Sequence, residues 1–221
     1  MVLVALSMAF VTLLITANIV AVKLVSIGAW VVPVAVIAYP FTFLVTDTVA
    51  EVYGRRRASQ VVWLGFAMSL GMLAIVRIGG LIPAASFWQG QEAYESIFGA
   101  VPRIVLASII AYLVSQHHDV IAFDFWKRLT AGRHLWLRNT ASTAVSQGID
   151  TVLFITIAFS GTLPSGVLWN MLASQYLIKL LIALADTPFV YALVSVVRKH
   201  GDRDLAEVEV VRELRADRMT Q

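Results

Sequence analysis

Two stretches of the chain carry the same polar pattern, Ser115-Gln116-x-x-Asp119-x-x-x-Phe123 and Ser146-Gln147-x-x-Asp150-x-x-x-Phe154. Each sets a carboxylate, which only accepts hydrogen bonds, beside an amide that both donates and accepts. That combination suits the recognition of a small polar molecule with several N–H groups. Both copies lie in apolar surroundings. A charged group at the centre of a lipid-spanning helix costs roughly 2.5–3.5 kcal/mol on insertion scales. A chain that carries this penalty twice, at one spacing, needs the groups to face each other or a water-filled interior. At about 100° per residue, Ser108, Tyr112, Ser115 and Asp119 fall on one narrow helix face, with Gln116 at its edge; Asn139, Thr143, Ser146, Asp150 and Gln147 repeat the arrangement. Hydrogen-bonded glue between neighbouring helices, worth about 1 kcal/mol per bond, would account for the serines and glutamines but leaves the aspartates unexplained.

Further polar residues interrupt apolar runs elsewhere: Asn18 and Lys23; Asp47 and Glu51; Asn170, Gln175, Lys179 and Asp186. Lys179 sits well inside its run and must pair with an acid or reach water. Asp150, about 18 Å along its span at 1.5 Å per residue, is the acid nearest the middle of a bilayer. Glu51 is expected to pair with an interfacial arginine near Arg55–Arg57, and Asp47 is balanced between such a role and one facing a cavity. Asp150, Gln147 and Asn139 are the foremost candidates for binding.

The elements that position these groups follow from composition and periodicity. Of 221 residues, 59% are hydrophobic and 14% charged, too few charges to cover a soluble domain of this size. A helix needs about 20 mostly apolar residues to cross the hydrocarbon core. Six stretches qualify, at 2–25, 31–51, 59–79, 103–123, 138–160 and 168–197, so the expected fold is an all-α integral membrane protein with six transmembrane helices. Pro33 and Pro40 interrupt the second, and Pro188 the last, which is long enough to kink or to continue past the membrane surface. The most polar internal loop runs from Ala84 to Ala100. Residues 1–197 read as the transmembrane unit and 198–221 as a charged tail, where Leu205, Val208, Val211 and Leu214 at helical spacing predict a short surface helix.

Basic residues set the orientation. Arg55–Arg57 follow the second span, Lys127, Arg128 and Arg133 the fourth, and Arg198, Lys199 and Arg203 the sixth, whereas 26–30 and 161–167 contain no lysine or arginine. The positive-inside rule then places both termini in the cytoplasm. The absence of cysteine excludes disulfides, thiolate metal sites and cysteine nucleophiles. The net charge of +3 is spread over loops and tail and does not form a nucleic-acid footprint. The apolar start has no basic region ahead of a small-residue cleavage site, so no removable signal peptide is expected.

Three composite motifs carry a resemblance. Tyr39-Pro-Phe-Thr-Phe-Leu-Val-Thr-Asp47-Thr-Val-Ala-Glu51-Val-Tyr-Gly54-Arg is similar to a signature of the queuosine precursor transporters, also called vitamin-uptake-like transporters. Trp136-Leu-Arg138-Asn139-Thr-Ala-Ser142-Thr143-Ala-Val-Ser146-Gln147-Gly-Ile-Asp150-Thr151 resembles a second, and Arg103 through Ala107-Ser108 to Ser115-Gln116 and Asp119 a third. Order and spacing match from Ala17-Asn18 to the sixth span; His117-His118 departs from the family pattern, which has apolar residues there.

The resemblance implies uptake of 7-cyano-7-deazaguanine or 7-aminomethyl-7-deazaguanine for salvage into queuosine, across the plasma (inner) membrane of a prokaryote. It implies that Asp150 or Asp119 accepts the N–H groups of a guanine-like edge, with Gln147, Gln116 or Asn139 as the amide partner and Arg138 or Lys179 available to donate to a carbonyl. Trp136, Tyr112 or Phe154 would stack on the ring, Asp47 would meet an aminomethyl cation, and Asn18 completes the polar set. No cofactor or metal is expected. With no phosphate-binding loop in the chain, facilitated entry, proton coupling and a borrowed ATP-driven module all fit, the last as a partner alongside a homo-oligomer. Zinc-protease, nucleophile-elbow and intramembrane aspartyl signatures do not occur, which argues against an enzyme. His117-His118-Asp119 suits a single metal poorly, because adjacent helix positions point about 100° apart.

Overall fold

The computed structural model describes the backbone of residues 1–129 and 135–219 and the side chains of 1–118, 144–182, 185 and 188–199. The chain is mostly helical: α1 Val2–Val20, β1 Leu24–Ile27, β2 Trp30–Pro33, a short 3-10 turn at Val34–Ile37, α2 Tyr39–Tyr53, α3 Arg55–Leu81, α4 Gln91–Phe98, α5 Val101–Leu129, α6 Leu135–Phe159 and α7 Ser165–Met219. Among the described residues α1, α3 and the stretch Gln91–His118 are long and apolar enough to cross a membrane, and Ala144–Phe159 is a shorter apolar helix. Their outward faces carry large apolar side chains such as Met8, Trp63, Ile75, Leu106 and Val152. Unlike an aqueous surface, this is what lipid solvates, so the molecule is a helical membrane protein.

The all-α expectation needs one correction. Residues 24–33 form an antiparallel hairpin, with Leu24 opposite Pro33 and Ile27 opposite Trp30. Valine and isoleucine favour extended backbone, and Gly28 takes the positive φ of 63° that a two-residue hairpin loop requires. The expected second span at 31–51 is therefore not one helix. Its first residues belong to β2 and the 3-10 turn, and α2 begins only at Tyr39, with Pro40 in its first turn, where a missing N–H is harmless. At 15 residues α2 is about 22 Å long, short of the roughly 30 Å hydrocarbon core. Non-helical backbone at membrane depth is tolerated when protein covers it; Val32, Pro33 and Ala35 are fully or almost fully buried.

The other expected spans fall on helices, and all but the last have ends that differ by a few residues. α1 stops at Val20, before the expected end at 25, and the loop from Ala84 to Ala100 contains the short amphipathic α4. The last helix runs through Pro188 and across the 197/198 junction as one 55-residue helix, about 80 Å long and well beyond a bilayer's thickness.

Packing is organised around two clusters. One joins Ala17 of α1 and Ala21 just after it, Ala35 of the 3-10 turn, Ile104, Ala107 and Ala111 of α5, Phe154, Ile155, Ala158 and Phe159 of α6, and Met171 of α7. Its alanines let helix backbones approach closely, which is how helices associate where lipid removes the hydrophobic drive. The second joins Phe10, Val45, Val49, Val61, Val62 and Phe66 of α1, α2 and α3. Gly65 lies at its tightest point: a methyl there would come within 2.8 Å of Phe10 and Leu14. The first cluster borders the polar centre described next.

Candidate functional site

Asp150 projects from α6 and Lys179 from α7. Lys179 Nζ donates to Asp150 Oδ2 at 2.5 Å, and the two side chains are 4% and 22% exposed, lysine first. Asp150 lies about 13 Å from the Phe159 end of α6, and Lys179 about 21 Å from the Ser165 end of α7, so the pair sits deep within both helices. Burying two opposite charges takes both out of water, and each makes the other tolerable only while the contact holds.

Three helices shape this centre. The Lys179 ammonium also lies over the Tyr39 ring, 5.3 Å from its centroid, a cation–π contact that α2 supplies because its first residue stands beside the pair. Gln175, one turn before Lys179 on the same face of α7, donates from Nε2 to the Tyr39 hydroxyl at 3.3 Å. Gln147 lies one turn before Asp150 on α6. The side-chain oxygens of Gln175 and Gln147 are both buried and find no hydrogen-bond partner among the described residues. Thr151, beside Asp150, caps its own hydroxyl on the Gln147 carbonyl at 2.8 Å. The result is a neutral pair with spare capacity: the ammonium has three donors, the carboxylate about four acceptor positions, and two carbonyl acceptors stand one turn away.

Asn170 holds the hairpin to this centre. Its Oδ1 accepts from the Val31 N–H and its Nδ2 donates to the Ala29 carbonyl, both at 2.8 Å, so a side-chain amide takes the place of a neighbouring strand. Ser174 donates to the same Oδ1 at 3.1 Å. This clamp fixes the approach of the non-helical segment that delivers Tyr39.

The sequence-predicted residues separate into groups. Asp150 and Lys179 come together, as the requirement that Lys179 find an acid predicts, and Gln147 lies one turn before Asp150 on the same helix. Gln116 does not join them; it is exposed and donates to the Tyr112 hydroxyl at 3.2 Å within α5. Tyr112 in turn packs edge-on against Phe66 at 5.1 Å, and Phe154 packs edge-on against Phe159 at 6.2 Å, so both rings serve helix packing. Asn18 is buried in α1, whereas Asp47 is exposed, two turns beyond Tyr39 on α2. Glu51 pairs at 3.0 Å with Arg198 of α7 rather than with the Arg55–Arg57 group. Asp119, Trp136, Arg138 and Asn139 fall outside the residues whose side chains are described, as does Asp186.

The two adjacent histidines point to different partners. His118 Nδ1 meets the Ser146 hydroxyl at 3.1 Å across α5 and α6, and His117 Nδ1 meets the Leu113 carbonyl of its own helix at 2.9 Å. Among the described residues no group of three or more His, Asp or Glu is placed to hold a metal ion.

Tyr39 is the residue of this centre that the polar pattern did not single out; Asn170 and Gln175 stand among the polar residues that interrupt the last apolar run, but nothing assigned them to the site. The i, i+4 spacing of Gln175 and Lys179 was the available signal, since it places both on one face of α7. Tyr39 had a weaker one, an aromatic directly before a helix-starting proline.

Residues 33–193 match the family model described as "Putative vitamin uptake transporter". The chain is 38% identical over 177 residues to a protein of Bacillus subtilis named "Probable queuosine precursor transporter", covering 80% of this chain and 77% of that one. It is 34% identical over 122 residues to the "Queuosine precursor transporter" of Escherichia coli, covering 55% of this chain and 52% of the relative. A Haemophilus influenzae protein, also named "Probable queuosine precursor transporter", is 31% identical over 123 residues, 56% and 50% of the two chains. No solved structure matches. With a helical membrane architecture, a buried ion pair at its centre and a family match across most of its length, the chain belongs to the vitamin-uptake family of transporters, which includes the queuosine precursor transporters, and is not an enzyme.

Proposed function

We propose that this chain imports queuosine precursors, 7-cyano-7-deazaguanine, 7-aminomethyl-7-deazaguanine or both, across the cytoplasmic (inner) membrane of a prokaryote for salvage into tRNA. The observation that carries this reading is the Lys179–Asp150 pair, buried between α6 and α7 in a chain similar over four-fifths of its length to a named queuosine precursor transporter. A guanine-like edge sets a ring carbonyl beside two N–H groups. Lys179 donates to the carbonyl and Asp150 accepts the N–H groups, while the ion pair itself persists, because each partner has unused hydrogen-bonding positions. Gln147 supplies a further acceptor and Tyr39 an aromatic face. Six crossings with both termini cytoplasmic follow from the basic loops, with 1–197 as the transporting unit and α2 completing its crossing through the buried non-helical segment at 31–38.

The test uses cells that cannot make deazaguanines, supplied with nanomolar precursor and scored by queuosine in their tRNA. The parent chain restores queuosine, and Asp150→Asn, present in the membrane at the same level, does not. Restoration by Asp150→Asn to the parent's extent would remove the carboxylate from recognition. No restoration by a parent chain that reaches the membrane would overturn the cargo.

A further inference from the structure

Gln175 is wholly buried, yet only one end of its amide is used: Nε2 donates to the Tyr39 hydroxyl and Oε1 has no partner. An acceptor carbonyl held away from water without a donor is unfavourable, and native interiors contain few of them. Among the described residues none supplies the missing donor. The Lys179 ammonium, one turn along the same face, is engaged by Asp150 and by the Tyr39 ring. The position calls for an N–H that arrives with a ligand.

The chemistry of the base identifies which N–H. Gln175 lies four residues before Lys179 on the same face of α7, one turn away from the ion pair. A fused bicyclic base that sets its carbonyl and N–H edge on Lys179 and Asp150 has one further N–H, on its five-membered ring at the opposite side. We infer that Gln175 is a specificity-determining residue: its Oε1 accepts the five-membered-ring N–H of a free deazaguanine base. A nucleoside carries its sugar on that nitrogen and has no such donor, so the site rejects it. Tyr39 acts through Gln175 as a positioning residue, because accepting from Nε2 fixes the amide with its oxygen turned away from the phenol. Sites built to bind an N–H discriminate strongly against analogues lacking it, since the buried acceptor is then left unpaired. This inference rests on the reading of the cargo as a 7-deazaguanine base.

The experiment is competition for uptake of labelled free base in cells that cannot make it. One competitor is the unlabelled base, the other the same base with a methyl group on the five-membered-ring nitrogen. In the parent chain the methylated base competes about 100-fold more weakly. In Gln175→Met the free base loses about 10-fold in apparent affinity while the methylated base is unchanged, so the gap narrows to about 10-fold. The inference is overturned if the methylated base competes with the parent within about threefold, a result that needs no variant. It is also overturned if Gln175→Met weakens both competitors by one factor. A parent chain that takes up no free base at all would overturn the cargo, and this inference with it.

Discussion

Gln116 and Gln147 hold the same place in the repeated pattern, yet Gln116 is exposed and bonded within its own helix, whereas Gln147 keeps a buried oxygen that finds no partner among the described residues. The serines that precede them, Ser115 and Ser146, are both buried. The two copies therefore begin alike and diverge one residue later. The cause is the neighbour rather than the sequence of either copy. α6 packs against both α5 and α7, and α7 brings Lys179 and Gln175 to its polar face. Residues on α5 instead meet α1, α3 and α4 as well as α6, so Tyr112, one turn before Gln116, turns toward Phe66. An internal repeat marks helices able to carry polar groups; the neighbouring helix decides what those groups meet.

The most direct way to break this comparison is at the ion pair. Lys179→Met leaves the Asp150 carboxylate in the interior without its counter-charge, which lowers stability by about 3–5 kcal/mol. The double variant Asp150→Asn/Lys179→Met removes both charges and regains most of that loss, though it restores no uptake. Denaturant unfolding of the purified protein in detergent measures the coupling as a double-mutant cycle. A double variant no more stable than Lys179→Met would show that the two charges do not depend on each other.

The twin glutamines sharpen the comparison further. Gln147→Leu lowers the apparent affinity for the precursor about tenfold, corresponding to roughly 1.4 kcal/mol for one buried hydrogen bond. Gln116→Leu stays within about twofold, because its amide lies at the surface and its bond to Tyr112 is local. Concentration-dependent uptake by each variant, at matched membrane levels, separates the cases. Equal losses at both positions would restore the symmetrical reading in which α5 and α6 contribute alike.

How far the molecule was legible in its sequence follows from the same contrast. Lys179 could be paired with an acid from hydropathy alone, because an isolated ammonium in an apolar run has few options. Asp150 could be singled out by depth. Nothing along α5 or α6 announced that α7 would bring Lys179 to Asp150, since that is decided by helix packing between segments distant in sequence. The hairpin at 24–33 was hidden for a related reason: its valines and isoleucine read as readily as part of a membrane helix, and only Gly28 with the flanking Pro33 hinted at a break. Tyr39 entered the site because that break lets α2 start inside the protein. Glu51 was correctly expected to pair with an arginine, but the partner came from a residue far along the chain, Arg198, rather than from the neighbouring cluster.

That surface pair provides the smallest effect and the clearest counterpart to Lys179–Asp150. Both ion pairs join α7 to an earlier helix through one lysine or arginine and one carboxylate. The side chains of Glu51 and Arg198 are 60% and 58% exposed, so water and salt screen their attraction. Arg198→Gln therefore changes stability by less than about 1 kcal/mol, and raising the salt to about 0.5 M erases the difference from the parent. Most of the Lys179→Met loss persists at that salt, because with Lys179 buried and Asp150 only 22% exposed mobile ions screen this pair far less. Unfolding midpoints for the parent and the two variants at low and high salt decide the matter. A salt-insensitive loss at Arg198 would mean that this contact, too, is sheltered from solvent, and that burial does not separate the two pairs.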